Sequence, residues 1–337
     1  MTPDRIMKLG FFSTKSYDRT YFDINKDPRH EIIYFEARLM EETAQLCEGL
    51  DGICVFVNDI VNRKVIEYLH NHGIRLILLR CAGFNQVDLE AAGDYQMKVY
   101  RVPAYSPEAV AEHAVALILT LNRKTHKAYN RIRELNFSVE KLIGFDLNEK
   151  HVGVIGTGKI GTAFCRIMLG FGCKVLAYDK YEQEELKKLG VQYVDLLTCI
   201  SESDIISLHC PLNEETKYLI NSQRIQSMKD GVMLINTSRG GLINTKDVIK
   251  ALKHQKIGYL GIDVYEQEEK LFFEDYSETI LQDELIARLL TFPNVLITSH
   301  QGFLTHDALD QISKITLDNL QCFIDGRPCD NEVKAGN

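Results

Sequence analysis

The chain has 337 residues, 45% hydrophobic and 26% charged, the balance of a globular protein with room for two ordinary domains. A formal net charge of −8 with no basic run excludes a broad nucleic-acid footprint. The longest clean apolar run, 114–121, is too short for the roughly 18 residues of a membrane span, and Asp4 and Arg5 ahead of Lys8-Leu9-Gly10-Phe11-Phe12 do not read as a secretory signal.

In chain order, apolar, β-rich runs at 8–13, 31–35, 52–57, 75–79 and 98–102 alternate with polar helical stretches such as 63–72. Continuous apolar strands separated by helices predict a parallel sheet covered on both faces. Pro103 and Pro107 mark a break, and 108–122 then reads as a helix that is apolar around most of its circumference. Such a helix is buried between layers or at a subunit contact, so an oligomer held partly by it is expected. From His151 the rhythm resumes, with strands near 151–155, 174–179, 191–194, 204–209, 231–236, 258–264 and 295–298. Residues 266–290 read as an exposed, charged excursion, and the last helix, 305–323, is expected to return to the N-terminal domain.

Nine cysteines, at 47, 54, 81, 165, 173, 199, 210, 322 and 329, include no C-x-x-C pair, and most lie in apolar runs. They read as reduced thiols of a cytoplasmic protein. No Cys/His cluster has zinc-ligand spacing, so no metal is expected.

The most informative segment is His151–Gly161, an apolar strand running into Gly156-Thr157-Gly158-Lys159-Ile160-Gly161. Gly156 allows a tight turn, Gly158 lets a pyrophosphate approach the backbone, and Gly161 lets the following helix pack closely. The helix N-terminus offers N–H groups and a positive dipole end to phosphates. The next strand ends in Asp179, roughly 20 residues on, where a carboxylate can accept from ribose hydroxyls and disfavour a 2′-phosphate; NAD is therefore expected over NADP.

Hydride transfer to an oxo acid also needs a cation for the carboxylate, a proton donor for the carbonyl oxygen and a group to tune that donor. Arg239 follows a buried strand and precedes two glycines, and a guanidinium there can grip a planar carboxylate by two bonds. His300 ends the last strand, and imidazole readily gives and retakes a proton near neutral pH. A carboxylate on its far ring nitrogen would orient it and favour the imidazolium; Glu268 fits, and the spacing does not choose it over Glu266 or Glu269.

With these blocks in place, the chain resembles the D-isomer-specific 2-hydroxyacid dehydrogenases, above all their bacterial fermentative, lactate-forming members. The likeness runs through Arg80-Cys81-Ala82-Gly83-Phe84-Asn85, Val102–His113, the glycine turn, Ser207–Leu212, Asn236–Gly240, Asp263–Glu268 and Gly302–Thr305. It implies two doubly wound α/β parallel-sheet domains: a Rossmann-type NAD domain, 103–300, inserted into a flavodoxin-like substrate domain, 1–102 with 301–337. It implies Arg239, Glu268 and His300 as catalytic, and Ala82, Gly83, Tyr105, Phe56 and Phe303 at the substrate. Cofactor contacts are implied at Gly156–Gly161, Asp179, His209, Cys210, Pro211, Thr216, Thr237, Ser238 and Asp263. The implied reaction is NADH-dependent reduction of pyruvate to D-lactate by a homodimer or homotetramer that has no nucleic-acid or membrane partner. Two alternatives stay open: a reductase of larger 2-oxo acids of the D-2-hydroxyisocaproate type, and an NAD-sensing, corepressor-like interaction protein.

Overall fold

The computed structural model describes residues 6–268 and 271–336, so Glu269 lies outside the described residues. Two compact units divide the chain: one runs to Ser106 and resumes at Leu304, the other is Pro107–Phe303. The first holds β1 (Lys8–Phe11), α1 (Ser16–Asn25), β2 (Glu31–Tyr34), β3 (Gly52–Val55), α2 (Arg63–Asn71), β4 (Leu76–Leu79), α3 (Leu89–Asp94) and β5 (Lys98–Tyr100). The second begins with α4 (Pro107–Arg123), α5 (Thr125–Arg133), β6 (His151–Ile155), α6 (Lys159–Gly170), β7 (Lys174–Tyr178), α7 (Glu184–Lys188) and β8 (Gln192–Tyr193). It continues with α8 (Leu196–Glu202), β9 (Ile205–Leu208), α9 (Ser222–Ser227), β10 (Val232–Asn236), α10 (Thr245–Lys253), β11 (Ile257–Ile262), α11 (Glu284–Leu290) and β12 (Val295–Ile297). The chain then returns to the first unit with α12 (His306–Asp325).

The first unit carries a five-stranded parallel sheet, ordered β2-β1-β3-β4-β5. The second carries a seven-stranded parallel sheet, ordered β12-β11-β10-β9-β6-β7-β8. Both are doubly wound, with all paired strands parallel and helices in most of the connections between them. Among the described residues no helix is long and apolar enough to cross a membrane.

Strands in the first unit stop a residue or two before the apolar runs do. β1 ends at Phe11, yet Phe12 is fully buried; β3 ends at Val55, yet Phe56 is buried too. Hydrophobicity reports burial, and here the strand-to-loop corners are buried after ladder pairing has ended.

The packing bears on two readings. The apolar circumference of α4 is consumed inside its own unit: Ala111, Ala114, Leu117, Ile118 and Leu121 share a core with Val152 and Val154 of β6, Phe164 of α6 and Ile235 of β10. Burial between layers accounts for these five apolar residues. The stretch 266–290 is no simple exposed excursion, since Phe272, Ile286 and Leu289 are buried in the second core and Tyr265 Oη donates to Asp283. The polar residues masked that anchoring because they sit between the apolar ones.

α12 starts at the N-cap Thr305, whose hydroxyl accepts from Ala308 N, and ends at Gly326 with φ +66°, a left-handed cap that glycine adopts without a Cβ penalty. Asn25 Nδ2 on α1 donates to Ser313 Oγ at 2.7 Å, and Asn319 Nδ2 donates to Arg101 O at 2.9 Å, fixing α12 within the first unit.

Candidate active site

The glycine turn is built as a steric argument. Gly156 lies at φ +98°, and a Cβ there would sit 2.6 Å from Cys210 N. A Cβ on Gly161 would sit 2.0 Å from Gly156 O, so this glycine is what lets α6 close on β6. Gly158 differs: a Cβ there meets nothing within 4 Å, so its Cα faces open space. It is also the N-cap of α6 and provides no side-chain cap, which leaves the first-turn N–H groups of the helix to an anion. Asp179, at the tip of β7, accepts from Thr157 N at 2.5 Å and Thr157 Oγ1 at 3.2 Å, so the carboxylate expected at the ribose braces the turn. Lys180 beside it pairs with Glu215.

The other predicted cofactor residues line the same strand ends. His209 follows β9, with Nε2 2.8 Å from Ser207 Oγ and its ring 4.8 Å from Phe164. Burial lowers its pKa from 6.5 to about 3, which favours the neutral ring near pH 7. Burial likewise raises the Cys210 thiol to about 11. Thr216 Oγ1 donates to Pro211 O, and Ser238 Oγ donates to Cys210 O. The buried Thr237 Oγ1 has no hydrogen-bond partner among the described residues. An open glycine, an uncapped helix and an orphaned hydroxyl suit a dinucleotide: the backbone of 158–161 for the pyrophosphate, Asp179 for the ribose and Thr237 for a polar group of the ligand.

Arg239, Glu268 and His300 come from three neighbouring strand ends, those of β10, β11 and β12, at one edge of the sheet. A Cβ on Gly240 would sit 2.1 Å from Tyr265 C, so the loop bearing Arg239 lies against the loop bearing Glu268. His300 Nδ1 is 2.9 Å from Glu268 Oε1, while Glu268 Oε2 accepts from Tyr265 N at 2.8 Å. The choice the spacing left open is thereby made, because Glu266 is occupied elsewhere: Tyr218 Oη donates to one oxygen at 2.5 Å and Thr245 Oγ1 to the other at 2.8 Å. With Nδ1 on the carboxylate, Nε2 is the ring position left for chemistry. His300 itself has φ +51°, a left-handed conformation costing about 1–3 kcal/mol that its neighbours must impose.

Arg239 is partly buried, and its Nη1 donates to Ser238 O at 2.7 Å. Asn236 Nδ2 holds the Arg239 carbonyl at 2.9 Å. Among the described residues no carboxylate lies within ion-pairing distance of this guanidinium. Asp263, expected among the cofactor-lining residues, also has a structural part. Its carboxylate accepts from Thr298 Oγ1 at 2.5 Å, Gln301 N at 2.9 Å and Gly302 N at 2.8 Å, so it holds the loop that carries His300. His113 of α4 and Phe273, whose ring centroid is 6.1 Å from that of His300, adjoin this loop, and the sequence assigned neither a role.

In the first unit, Ala82 and Gly83 follow β4. Arg101 Nη1 donates to Ala82 O at 3.0 Å and Cys81 Sγ to Gly83 O at 3.2 Å, fixing both carbonyls. Their N–H groups donate to no protein acceptor among the described residues, giving two adjacent donors suited to an anion. Phe56 is buried, with the Arg80 guanidinium 4.9 Å from its ring centre. Arg80 is also buried, and its Nε donates to Asp18 Oδ1 at 3.0 Å. Tyr105 lies in the first unit, and the buried Phe303 closes the second.

A parallel sheet with an open glycine turn, a carboxylate-held histidine and an arginine without an ion-pair partner among the described residues at its C-terminal edge defines a dinucleotide-dependent oxidoreductase. Residues 115–302 match the family model described as D-isomer specific 2-hydroxyacid dehydrogenase, NAD binding domain. The chain is 52% identical over 328 residues to the D-lactate dehydrogenase of Escherichia coli (strain K12), covering 97% of this chain and 100% of that one. Its structure resembles the pyruvate reductase of Chlamydomonas reinhardtii (TM-score 0.93, 43% identity, 98% and 99% coverage). It also resembles D-2-hydroxyisocaproate dehydrogenase (TM-score 0.84, 31% identity, 98% and 100% coverage). The chain belongs to the D-isomer-specific 2-hydroxyacid dehydrogenases, and its seven-stranded unit is their NAD-binding domain.

Proposed function

We propose that the protein reduces pyruvate to D-lactate with NADH and runs the reverse reaction, with His300 as acid/base, Arg239 as carboxylate anchor and Glu268 as the orienting partner of His300. The bound dinucleotide supplies the hydride for the carbonyl carbon. His300, as imidazolium, gives its Nε2 proton to the carbonyl oxygen as that oxygen becomes a hydroxyl, and retakes it in reverse. Glu268 on Nδ1 keeps the ring in one orientation and balances its charge. Arg239 holds the acid through its guanidinium fork. Within the first unit, the Ala82 and Gly83 N–H groups serve a carboxylate, and Phe56 and Tyr105 give apolar surface for a small side chain; Phe303 does so in the second.

The observation that carries this reading is the 2.9 Å His300–Glu268 pair at the sheet edge that also bears Arg239. Greater identity to the lactate-forming relative than to the isocaproate one favours the small substrate. A complete set of proton donor, orienting acid and carboxylate clamp favours catalysis over a sensing role. We also infer a homodimer or homotetramer and a reducing, cytoplasmic setting. Leu135, Phe137, Val139 and Ile143 form an exposed apolar run after α5 that suits a subunit contact, and all nine cysteines are unpaired.

The test is NADH consumption across a panel of 2-oxo acids with chiral analysis of the product. Pyruvate is expected to give the highest kcat/KM and D-lactate as product. A preference for 2-oxoisocaproate, an L product or no turnover of pyruvate would refute the reading.

A further inference from the structure

His113 lies on α4, far in sequence from the residues assigned to chemistry, yet its ring reaches the loop that carries His300. His113 Nε2 is 2.9 Å from Thr298 Oγ1 and 3.3 Å from Asp263 Oδ1. Thr298 has one hydroxyl proton, and at 2.5 Å it goes to Asp263 Oδ1. Thr298 Oγ1 therefore only accepts from His113, which fixes the imidazole tautomer with its hydrogen on Nε2. The joint is closed around one carboxylate: Oδ1 takes Thr298 Oγ1, Gln301 N and His113, and Oδ2 takes Gly302 N at 2.8 Å. The Asp263 carbonyl takes His300 N at 2.7 Å. Residues 298, 300, 301 and 302 are thus all tied to Asp263, and Asp263 and Thr298 are tied to a helix packed in the core.

We propose that His113 is a positioning residue for the reaction: by donating to Thr298 and Asp263 it clamps the 298–302 loop and holds the His300 ring on its line of proton delivery. This rests on the function proposed above. Clamping is required because His300 is held at φ +51°, a backbone state that a loosened loop would leave, swinging the ring away from Glu268 and from the substrate. The Asp263 carboxyl supports the arrangement: burial pushes its pKa up, but hydrogen bonds from His113 and Thr298 outweigh burial and hold it below the usual range. Asp263 thus stays an acceptor for all its donors. A histidine that merely filled space would need none of these aligned bonds.

The test compares His113→Ala, His113→Gln and Gly302→Ala. Glutamine keeps an N–H donor at similar reach. The Gly302→Ala methyl would sit 3.0 Å from Asp263 Oδ2 and 3.6 Å from His113 Cδ2, loosening the same joint with His113 present. His113→Ala should lower kcat about 100-fold, the cost of a roughly 1 Å misplacement, with the NADH Kd nearly unchanged. In the ligand-free protein, amide exchange at Gln301 and Gly302 should rise about tenfold while β6 and β10 amides keep their protection. His113→Gln should recover most of both properties, and Gly302→Ala should reproduce the loss. Wild-type kcat and exchange in His113→Ala, or exchange rising equally across the sheet, would overturn the proposal. The exchange measurement decides it even if pyruvate proves to be the wrong substrate.

Discussion

The step from β1 to α1 in the five-stranded sheet and the step from β6 to α6 in the seven-stranded sheet are the same move, a parallel strand feeding a helix, and they finish in opposite ways. After β1 the chain turns through Ser13, whose hydroxyl donates to the buried Asp59, and Lys15 N donates to Asp18 Oδ2 at 2.8 Å. Asp18 also takes the buried Arg80, so this helix start carries its own anion and is electrostatically satisfied. After β6 the chain turns through Gly156, leaves Gly158 facing open space and caps α6 with no side chain. The lesson is that this architecture does not by itself make a nucleotide site. A helix start becomes one when its anion is withheld from the sequence and its approach is kept clear.

The comparison can be broken at either end. Gly161→Ala should have the largest effect because it removes two properties at once: its methyl meets backbone at 2.0 Å, where no side chain can yield, so about 3 kcal/mol of stability is lost together with NADH binding. Calorimetry and NADH fluorescence titration would measure both. Asp18→Asn comes next: it strands the Arg80 guanidinium in the first unit and should cost about 3–5 kcal/mol in urea unfolding. A change within 1 kcal/mol would show that Asp18 is not the anion that closes this helix start.

Gly158→Ala sharpens the contrast, since its methyl meets no protein atom. Stability should hold while NADH binding weakens about tenfold, through interference with the phosphate alone. Equal losses of stability and binding would contradict an open approach. The smallest effect concerns His209. Its pKa is lowered from 6.5 to about 3, so below pH 6.5 the unfolded chain binds the extra proton and stability falls as pH falls, by about 1.4 kcal/mol per unit. His209→Gln should flatten that decline between pH 6.5 and 5.5, and an unchanged slope would mean His209 is not the buried neutral group described.

The fold class was legible because its signals are local: apolar runs at strand length, helices between them, and glycines whose spacing encodes a turn. The glycine turn could be read residue by residue, since Gly156 and Gly161 answer to backbone contacts within a few residues or on the adjoining strand. Glu268 could not be separated from Glu266 because both follow β11; their hydrogen bonds to His300 on one side, and to Tyr218 and Thr245 on the other, involve residues distant in sequence. The part played by His113 was invisible for the same reason, as its partners Asp263 and Thr298 meet it only through the fold. The composition of α4 showed burial without naming what buries it. The apolar residues of 266–290 were hidden among charges.

The central claim is that the protein delivers a proton from His300 to a small oxo acid beside a bound nicotinamide. The most direct test is His300→Gln, with NADH affinity and pyruvate reduction measured on one preparation. Unchanged NADH binding with a turnover loss of about 10³-fold is predicted. Turnover at the wild-type rate would contradict it.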